Sequence, residues 1–259
     1  MRETAAKKSL GQHFLHDARA IRTIAETIPV GAGVLEIGPG PGAITEALLA
    51  RAAHLTVIEK DNRYAAQWQA RAERDGRLTV VHGDVMQVLP QAMDQARPDW
   101  IAGNLPYNIS GPLTAMLASM PITGGMVLMY QREVGERLVS EAGGKTYGTL
   151  SVLVRHHYAP KRLLILPPGA FSPPPKVHSM VVVLTPHGQT PPCTFEELRA
   201  AVRQGFAHRR KTIANNFRGL LDADALTAIG IDPGIRPECL DYAAWTRLAL
   251  AIKALPATT

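Results

Sequence analysis

The 259-residue chain is 46% apolar with a formal net charge of +6, so it can bury one sizeable core and carry a small appendage, and it is not a disordered polypeptide. No apolar run approaches the ~18 residues needed to cross a bilayer, and the charges spread from Arg2 to Glu26 leave no apolar centre for a secretory signal. Cys193 and Cys239 are the only cysteines and neither has metal-ligand spacing around it, which predicts a cytoplasmic protein with no membrane partner and no metal.

By composition alone, residues 1–30 read as a basic, disordered arm. From Gly33 to about Gln131, apolar runs alternate with Ala- and charge-rich stretches. The runs are Val34-Leu35-Glu36-Ile37, Leu55-Thr56-Val57-Ile58, Leu78-Thr79-Val80-Val81, Trp100-Ile101-Ala102 and Met126-Val127-Leu128-Met129. Stretches such as Ile44 to Arg51 and Arg63 to Glu73 are long enough for helices. This alternation predicts parallel strand–helix–strand units in a doubly wound α/β sheet. Gly148 to His156 then reads as a helix, and Arg162 to Leu166 and Met180 to Leu184 as two more strands. These two are close enough in sequence to pair antiparallel, since a parallel crossover needs a dozen or more residues. Pro186 to Thr194 reads as a linker, followed by helices over Phe195 to Ala207, Arg210 to Leu220, Ala223 to Ile229 and Tyr242 to Ala254. The predicted organisation is a main domain over 1–187 and a small all-α domain over 188–259.

Four predicted strands end in groups that suit a nucleotide-like ligand, and in open parallel sheets ligands bind beyond such ends. Gly38-Pro39-Gly40-Pro41-Gly42 follows the first strand and admits close backbone approach. It also satisfies the loose dinucleotide signature, so it does not separate a nicotinamide-dependent oxidoreductase from a methyltransferase. Glu59 ends the second strand and suits two ribose hydroxyls, with Asp61 available to cap the next helix. Asp84, beyond the third, suits equally an adenine amino group, with Val85 and Met86 over the ring, and a helix N-cap. S-adenosylmethionine fits this set: adenine near Asp84, ribose near Glu59, the amino-acid end over the glycine loop and the methyl group towards Asn104.

The fourth strand runs into Asn104-Leu105-Pro106-Tyr107-Asn108-Ile109-Ser110. An adenine N6 amine is a poor nucleophile because its lone pair is delocalised into the ring. Two acceptors aimed at its hydrogens draw the nitrogen towards tetrahedral geometry; the Asn104 side-chain oxygen and the carbonyl of Leu105 or Pro106 suit that task. Pro106 fixes the local backbone, and Tyr107 suits stacking on the base, worth roughly 1–3 kcal/mol. A sulfonium is already a strong electrophile, and the amine turns acidic once methylated, so neither a metal nor a strong general base is required. In Phe171-Ser172-Pro173-Pro174-Pro175-Lys176-Val177, Phe171 suits the opposite face of the base and Lys176 a phosphate; a stiff structural loop is the alternative. Arg199, Arg203, Arg209, Arg210, Lys211 and Arg218, with no acid between Glu197 and Asp222, suit phosphate contacts or a solvated helix face.

Lys8-Ser9-Leu10-Gly11-Gln12-His13-Phe14-Leu15, Glu36-Ile37-Gly38-Pro39-Gly40, the Asn104 to Ser110 motif and the Phe171 to Val177 loop occur in this order, with Arg209-Arg210-Lys211-Thr212-Ile213 in the tail. As an ordered set covering nearly the whole chain, they closely resemble the ribosomal RNA adenine N6-dimethyltransferases, and most nearly the bacterial branch acting on 16S rRNA. The resemblance implies a Rossmann-like class I methyltransferase fold, with a mostly parallel seven-stranded sheet containing one antiparallel strand. It implies S-adenosyl-L-methionine as methyl donor, S-adenosyl-L-homocysteine as product, and no metal. It also implies dimethylation of two adjacent adenosines in the hairpin loop near the 3′ end of 16S rRNA, in pre-30S particles, with a link to kasugamycin sensitivity. Carried over by motif, cofactor contacts fall on His13, Leu15, Gly38, Glu59, Asp84 and Asn104, catalytic roles on Asn104, Leu105, Pro106, Tyr107 and Phe171, and RNA contacts on Lys176, Arg209, Arg210 and Lys211. The N-terminal arm is then expected to fold over the cofactor. His13 departs from the family pattern, since many relatives have Asn there; a backbone contact survives that change and a side-chain role does not follow from it.

The sister branch that methylates one adenosine of large-subunit rRNA, conferring macrolide resistance, usually carries Ile where Leu105 stands. DNA amino-methyltransferases place Pro directly after the Asn or Asp. An oxidoreductase leaves Asn104 to Tyr107 unexplained, and an intact quartet argues against a purely RNA-binding assembly factor. With no obvious oligomer face, a monomer is expected.

Overall fold

The computed structural model describes residues 12–255; Lys8 to Gly11 of the N-terminal motif lie outside them. In chain order the elements are β1 (Phe14–Leu15), α1 (Ala18–Thr27), β2 (Gly33–Ile37), α2 (Thr45–Leu49), β3 (His54–Glu59), α3 (Asn62–Ala72), β4 (Leu78–His82), α4 (Val85–Ala96), β5 (Trp100–Asn104), α5 (Ser110–Ala118), β6 (Gly125–Gln131) and α6 (Arg132–Val139). Then come α7 (Thr149–Val154), β7 (Tyr158–Leu166), β8 (Phe171–Ser172), β9 (Ser179–Pro186), α8 (Phe195–Gly205), α9 (Ile213–Asn216), α10 (Ala223–Ala228) and α11 (Tyr242–Lys253).

Seven strands form one sheet in the order β4-β3-β2-β5-β6-β9-β7. β4, β3, β2, β5 and β6 pair in parallel, and β9 runs antiparallel to β6. The central strands are Val-, Ile- and Leu-rich because both faces are covered; Leu35, Leu55, Val57 and Ile101 are wholly buried. The register brings the strand ends level. Ile37 pairs with both Ile58 and Gly103, Glu59 with His82, and Asn104 with Met129. The chain winds outward in opposite directions from β2 and β5, and the crevice beyond their carboxyl ends is where such sheets bind ligands.

Two expectations are corrected. Residues 18–27 are a helix and not a disordered arm: Asp17 accepts from the Ala20 N–H at 2.8 Å as its cap, and Ala20, Ile24 and Ala25 bury one face in the main core. β1, just before it, pairs antiparallel with β8. The helix predicted over Arg210 to Leu220 shrinks to the single turn α9. Asn216, buried, accepts from the His208 N–H at 3.1 Å, and its amide nitrogen lies 3.2, 3.4 and 3.3 Å from the carbonyls of His208, Lys211 and Thr212. That side chain satisfies backbone groups a longer helix would have paired, so the basic stretch stays a turn.

The chain divides into two compact units. One holds the residues up to Leu113, Ile122–Gly135 and Lys161–Pro186; the other holds Thr114–Pro121, Glu136–Pro160 and the chain from His187 on. The second unit has its own core, in which Val152 and Leu153 of α7 join Leu198, Ala201 and Val202 of α8 and Trp245 and Leu248 of α11. It therefore takes in two segments that precede the linker, because their apolar faces complete this core.

Candidate active site

A cavity opens at the carboxyl edge of β2, β3, β4 and β5. His13, Gly38, Glu59, Asp84, Asn104, Leu105, Pro106 and Tyr107 all line it, brought together from four strand ends and the N-terminal segment. Gly38 and Gly40 both have positive φ, 69° and 52°, which lets the loop turn under the cavity without strain. A Cβ at Gly40 would also lie 3.2 Å from the Phe14 ring.

Glu59 is nearly buried and not free. Its Oε2 accepts from the Gly40 N–H at 2.9 Å and its Oε1 from the Asp61 N–H at 2.7 Å. Burial raises its pKa above the usual carboxylate value, with these backbone donors opposing the rise. Each carboxylate oxygen keeps a second acceptor position for a ligand hydroxyl. Asp61 caps α3 by accepting from the Arg63 N–H at 3.1 Å. Asp84, which lines the cavity, caps α4: Oδ1 accepts from the Met86 N–H at 3.0 Å, while Oδ2 pairs with Lys60 Nζ at 2.8 Å. That lysine bond and then the cap hold the Asp84 carboxyl below the usual carboxylate range.

The Asn104 motif is oriented at three points. The Asn104 amide nitrogen donates to the His13 carbonyl at 2.8 Å, which assigns the flip of the amide and leaves Oδ1 without a donor among the described residues. The Pro106 carbonyl accepts from the Ile109 N–H at 3.1 Å and so is used within the turn. The Leu105 carbonyl takes no hydrogen bond among the described residues, in a residue only 1% exposed, and the Pro106 carbonyl keeps a second acceptor position. The Tyr107 hydroxyl bonds the buried Ser179 on β9 at 2.8 Å, and its ring stacks on that of His13 with centroids 5.8 Å apart. Burial raises the Tyr107 pKa, so the phenol stays neutral.

Three predicted residues are placed differently from expectation. Leu15 does not line the cavity: it is buried in the main core, paired with Phe171 across β1 and β8. Phe171 is 2% exposed in the same core and presents no open face for a base. The physical reason is the same for both, since the β1–β8 pairing turns these apolar side chains inward. Arg209 is exposed, but its guanidinium donates to the carbonyls of Lys145 at 2.9 Å and Tyr147 at 3.0 Å, so it holds the fold of its own unit. Lys176, Arg210 and Lys211 are exposed, as a phosphate contact requires.

Sequence reasoning missed Lys60, Ser179 and Trp68, whose indole N–H donates to the Gly40 carbonyl at 2.9 Å and braces the glycine loop. It also passed over Glu36, a wholly buried carboxyl in the middle of β2. Neither Glu36 oxygen meets a hydrogen-bond partner, the equally buried Thr45 hydroxyl included. Burial pushes its pKa up to about 8, with the charge of Glu59 raising it further. A carboxyl inside an apolar strand run was the signal available.

The lining residues fit S-adenosylmethionine better than a dinucleotide. Among the described lining residues the side chains that carry full charge are Glu59, Asp84 and Lys60, and that lysine is already paired with Asp84. Such a cavity favours a ligand carrying a sulfonium and an ammonium over one carrying a pyrophosphate. Among the described residues no helix is long and apolar enough to cross a membrane.

Comparison with known proteins agrees with this geometry. Residues 3–253 match the model of the family described as ribosomal RNA adenine dimethylase. The chain is 40% identical over 257 residues to the ribosomal RNA small subunit methyltransferase A of Pseudomonas aeruginosa, covering 97% of this chain and 96% of that one. It is 44% identical over 240 residues to the protein of the same name from Laribacter hongkongensis, covering 90% and 91%. Among solved structures, a dimethyladenosine transferase from Plasmodium falciparum superposes with a TM-score of 0.79 at 26% identity, over 92% of this chain and 96% of that one. A 23S rRNA methyltransferase shares the fold at 23% identity with a TM-score of 0.69. With a family match spanning nearly its whole length and relatives of 40% identity or more over nine-tenths of it, the chain belongs to the ribosomal RNA adenine dimethylase family.

Proposed function

We propose that this protein methylates N6 of two adjacent adenosines in the 3′-terminal hairpin loop of 16S rRNA, using S-adenosylmethionine, and acts as a monomer on pre-30S particles in the cytoplasm. The names of its relatives support the class of RNA, and the observation that carries the chemistry is the orientation of Asn104. With its nitrogen committed to the His13 carbonyl, the oxygen of this cavity-lining residue is left to accept, beside the Leu105 and Pro106 carbonyls. Two acceptors fixed before the base arrives need no reorganisation as the amine becomes tetrahedral.

When bound, S-adenosylmethionine supplies an electrophilic methyl group and leaves as S-adenosylhomocysteine. Glu59 and Asp84 hold the nucleoside end through its hydroxyls and amino group, and the Gly38 to Gly40 loop lets the amino-acid end lie against backbone. Asn104 Oδ1 and the Leu105 or Pro106 carbonyl grip the N6 hydrogens of the target. Tyr107, tethered through Ser179, carries the base. Positioning for in-line attack supplies the rest of the rate. Phe171 and Leu15 act from the core, holding β1 against β8 and so His13 in the cavity wall. Lys176, Arg210 and Lys211 meet RNA phosphates.

The test is transfer of labelled methyl from S-adenosylmethionine to undermethylated 30S particles, recovered as N6,N6-dimethyladenosine. Label appearing in 50S particles or naked DNA instead would refute the proposal.

A further inference from the structure

We propose that the His13 side chain is a positioning residue for the target base, setting the tilt of the Tyr107 ring and tying it to the Pro173 loop, and is not a cofactor ligand. The inference rests on the methyl-transfer reading above. His13 makes three contacts, and each reaches a different part of the base site. Its main-chain carbonyl takes the Asn104 amide at 2.8 Å. Its ring lies on Tyr107, with centroids 5.8 Å apart and planes inclined by 27°. Its Nδ1 is 2.8 Å from the Pro173 carbonyl. A carbonyl can only accept, so Nδ1 carries the proton and donates, which fixes the ring's orientation.

Tyr107 is therefore held at both ends. Ser179 fixes its hydroxyl at 2.8 Å, and His13 covers part of its ring. A tyrosine anchored only through its hydroxyl still swings about that bond; an aromatic neighbour removes this freedom, because stacked rings have a preferred offset. The Asn104 contact comes from the backbone and survives any side chain at position 13. The ring contact and the Pro173 bond do not, so substitutions at His13 separate the aim of Tyr107 from the aim of Asn104. With Phe171 in the core, the imidazole is also the aromatic surface that the structure sets against Tyr107.

His13→Ala, His13→Asn and His13→Phe are compared with wild type on undermethylated 30S particles, with S-adenosylhomocysteine affinity measured by calorimetry. For His13→Ala, kcat is expected to fall about tenfold with KM for 30S and the S-adenosylhomocysteine Kd both changed by less than about threefold, the split that marks lost positioning. His13→Phe, which keeps a ring, recovers most of kcat; His13→Asn, which keeps a donor but no ring, does not. A second measurement uses carbon-13-labelled tyrosine, with the Tyr107 signal assigned by Tyr107→Phe. That signal shifts in His13→Ala and returns towards wild type in His13→Phe. Full activity in His13→Asn, equal losses of kcat and cofactor affinity, or an unmoved Tyr107 signal would each overturn the inference. A wild type that methylates no 30S particle would sink the methyl-transfer reading instead, and the Tyr107 signal would still decide whether His13 sets that ring.

Discussion

Asn104→Ala removes two things of very different weight. One is the 2.8 Å bond from the amide nitrogen to the His13 carbonyl, at a half-buried position. Losing such a bond costs about 0.5–1.5 kcal/mol of stability, a fall in Tm of about 2–5 °C for a chain of this size. The other is the side-chain oxygen proposed above to accept from the target amine. A pre-aimed hydrogen-bonding group that acts in the transition state is worth about 100- to 1,000-fold in kcat. Methyl transfer to 30S particles is thus expected to drop by that factor, while the particles still bind. Asn104→Asp sharpens the test: it keeps an oxygen for the amine but sets a second oxygen where the N–H met the His13 carbonyl, 2.8 Å away. Two acceptors repel there, so the side chain turns and the aspartate variant is expected to be as slow as alanine. Filter-retained label and particle co-sedimentation read the two quantities separately. Transfer by Asn104→Ala within about tenfold of wild type would refute the reasoning, as would an aspartate variant at the wild-type rate. A Tm fall above about 10 °C would mean that Asn104 serves the fold rather than the site.

The remaining expectations follow from groups outside that quartet. Glu36 has its pKa pushed up to about 8 in the folded state, so the native protein keeps a proton that the unfolded chain has released. Its contribution to stability is complete below the ordinary carboxylate pKa and is lost as pH rises towards about 8. Tm should therefore decline over that window in wild type and flatten in Glu36→Gln; identical profiles by calorimetry would rule this out. Charge reversal of Arg210 and Lys211 should weaken binding to 30S particles and reduce the slope of log affinity against log salt by about two phosphate contacts, and an unchanged slope removes them from the RNA interface. Phe171→Ala should cost about 3–5 kcal/mol in denaturant unfolding, as for other large core aromatics, and a loss below about 1 kcal/mol would show that the ring is not core.

Local pattern made most of the sheet legible. The five apolar runs from Val34 to Met129 are strands because each is mostly β-branched or aliphatic and is flanked by helix-forming stretches, and Gly38, Glu59, Asp84 and Asn104 fall at their ends by simple succession. What depended on distant neighbours was not legible. Leu15 and Phe171 look like cavity residues in a linear motif, and only the pairing of β1 with β8 turns them inward. Arg209 is one cation among several until its guanidinium is seen on the Lys145 and Tyr147 carbonyls. Glu59 was expected to stand free because Asp61 caps α3; Asp61 does cap it, yet its own N–H also binds Glu59. The substrate itself was never in the strand pattern. It came from the ordered motifs shared with a family.

The turn around Asn216 bears on how the protein meets RNA. Flexible basic tails gain affinity only after their backbone has been ordered, which weakens each contact by the entropy lost. Here the backbone from His208 to Thr212 is knotted by one buried amide before any RNA arrives. Arg210 and Lys211 therefore leave from a rigid platform, and only their side-chain rotamers remain to be ordered. Replacing Asn216 alters no charge, yet it releases the backbone from which these two cations project.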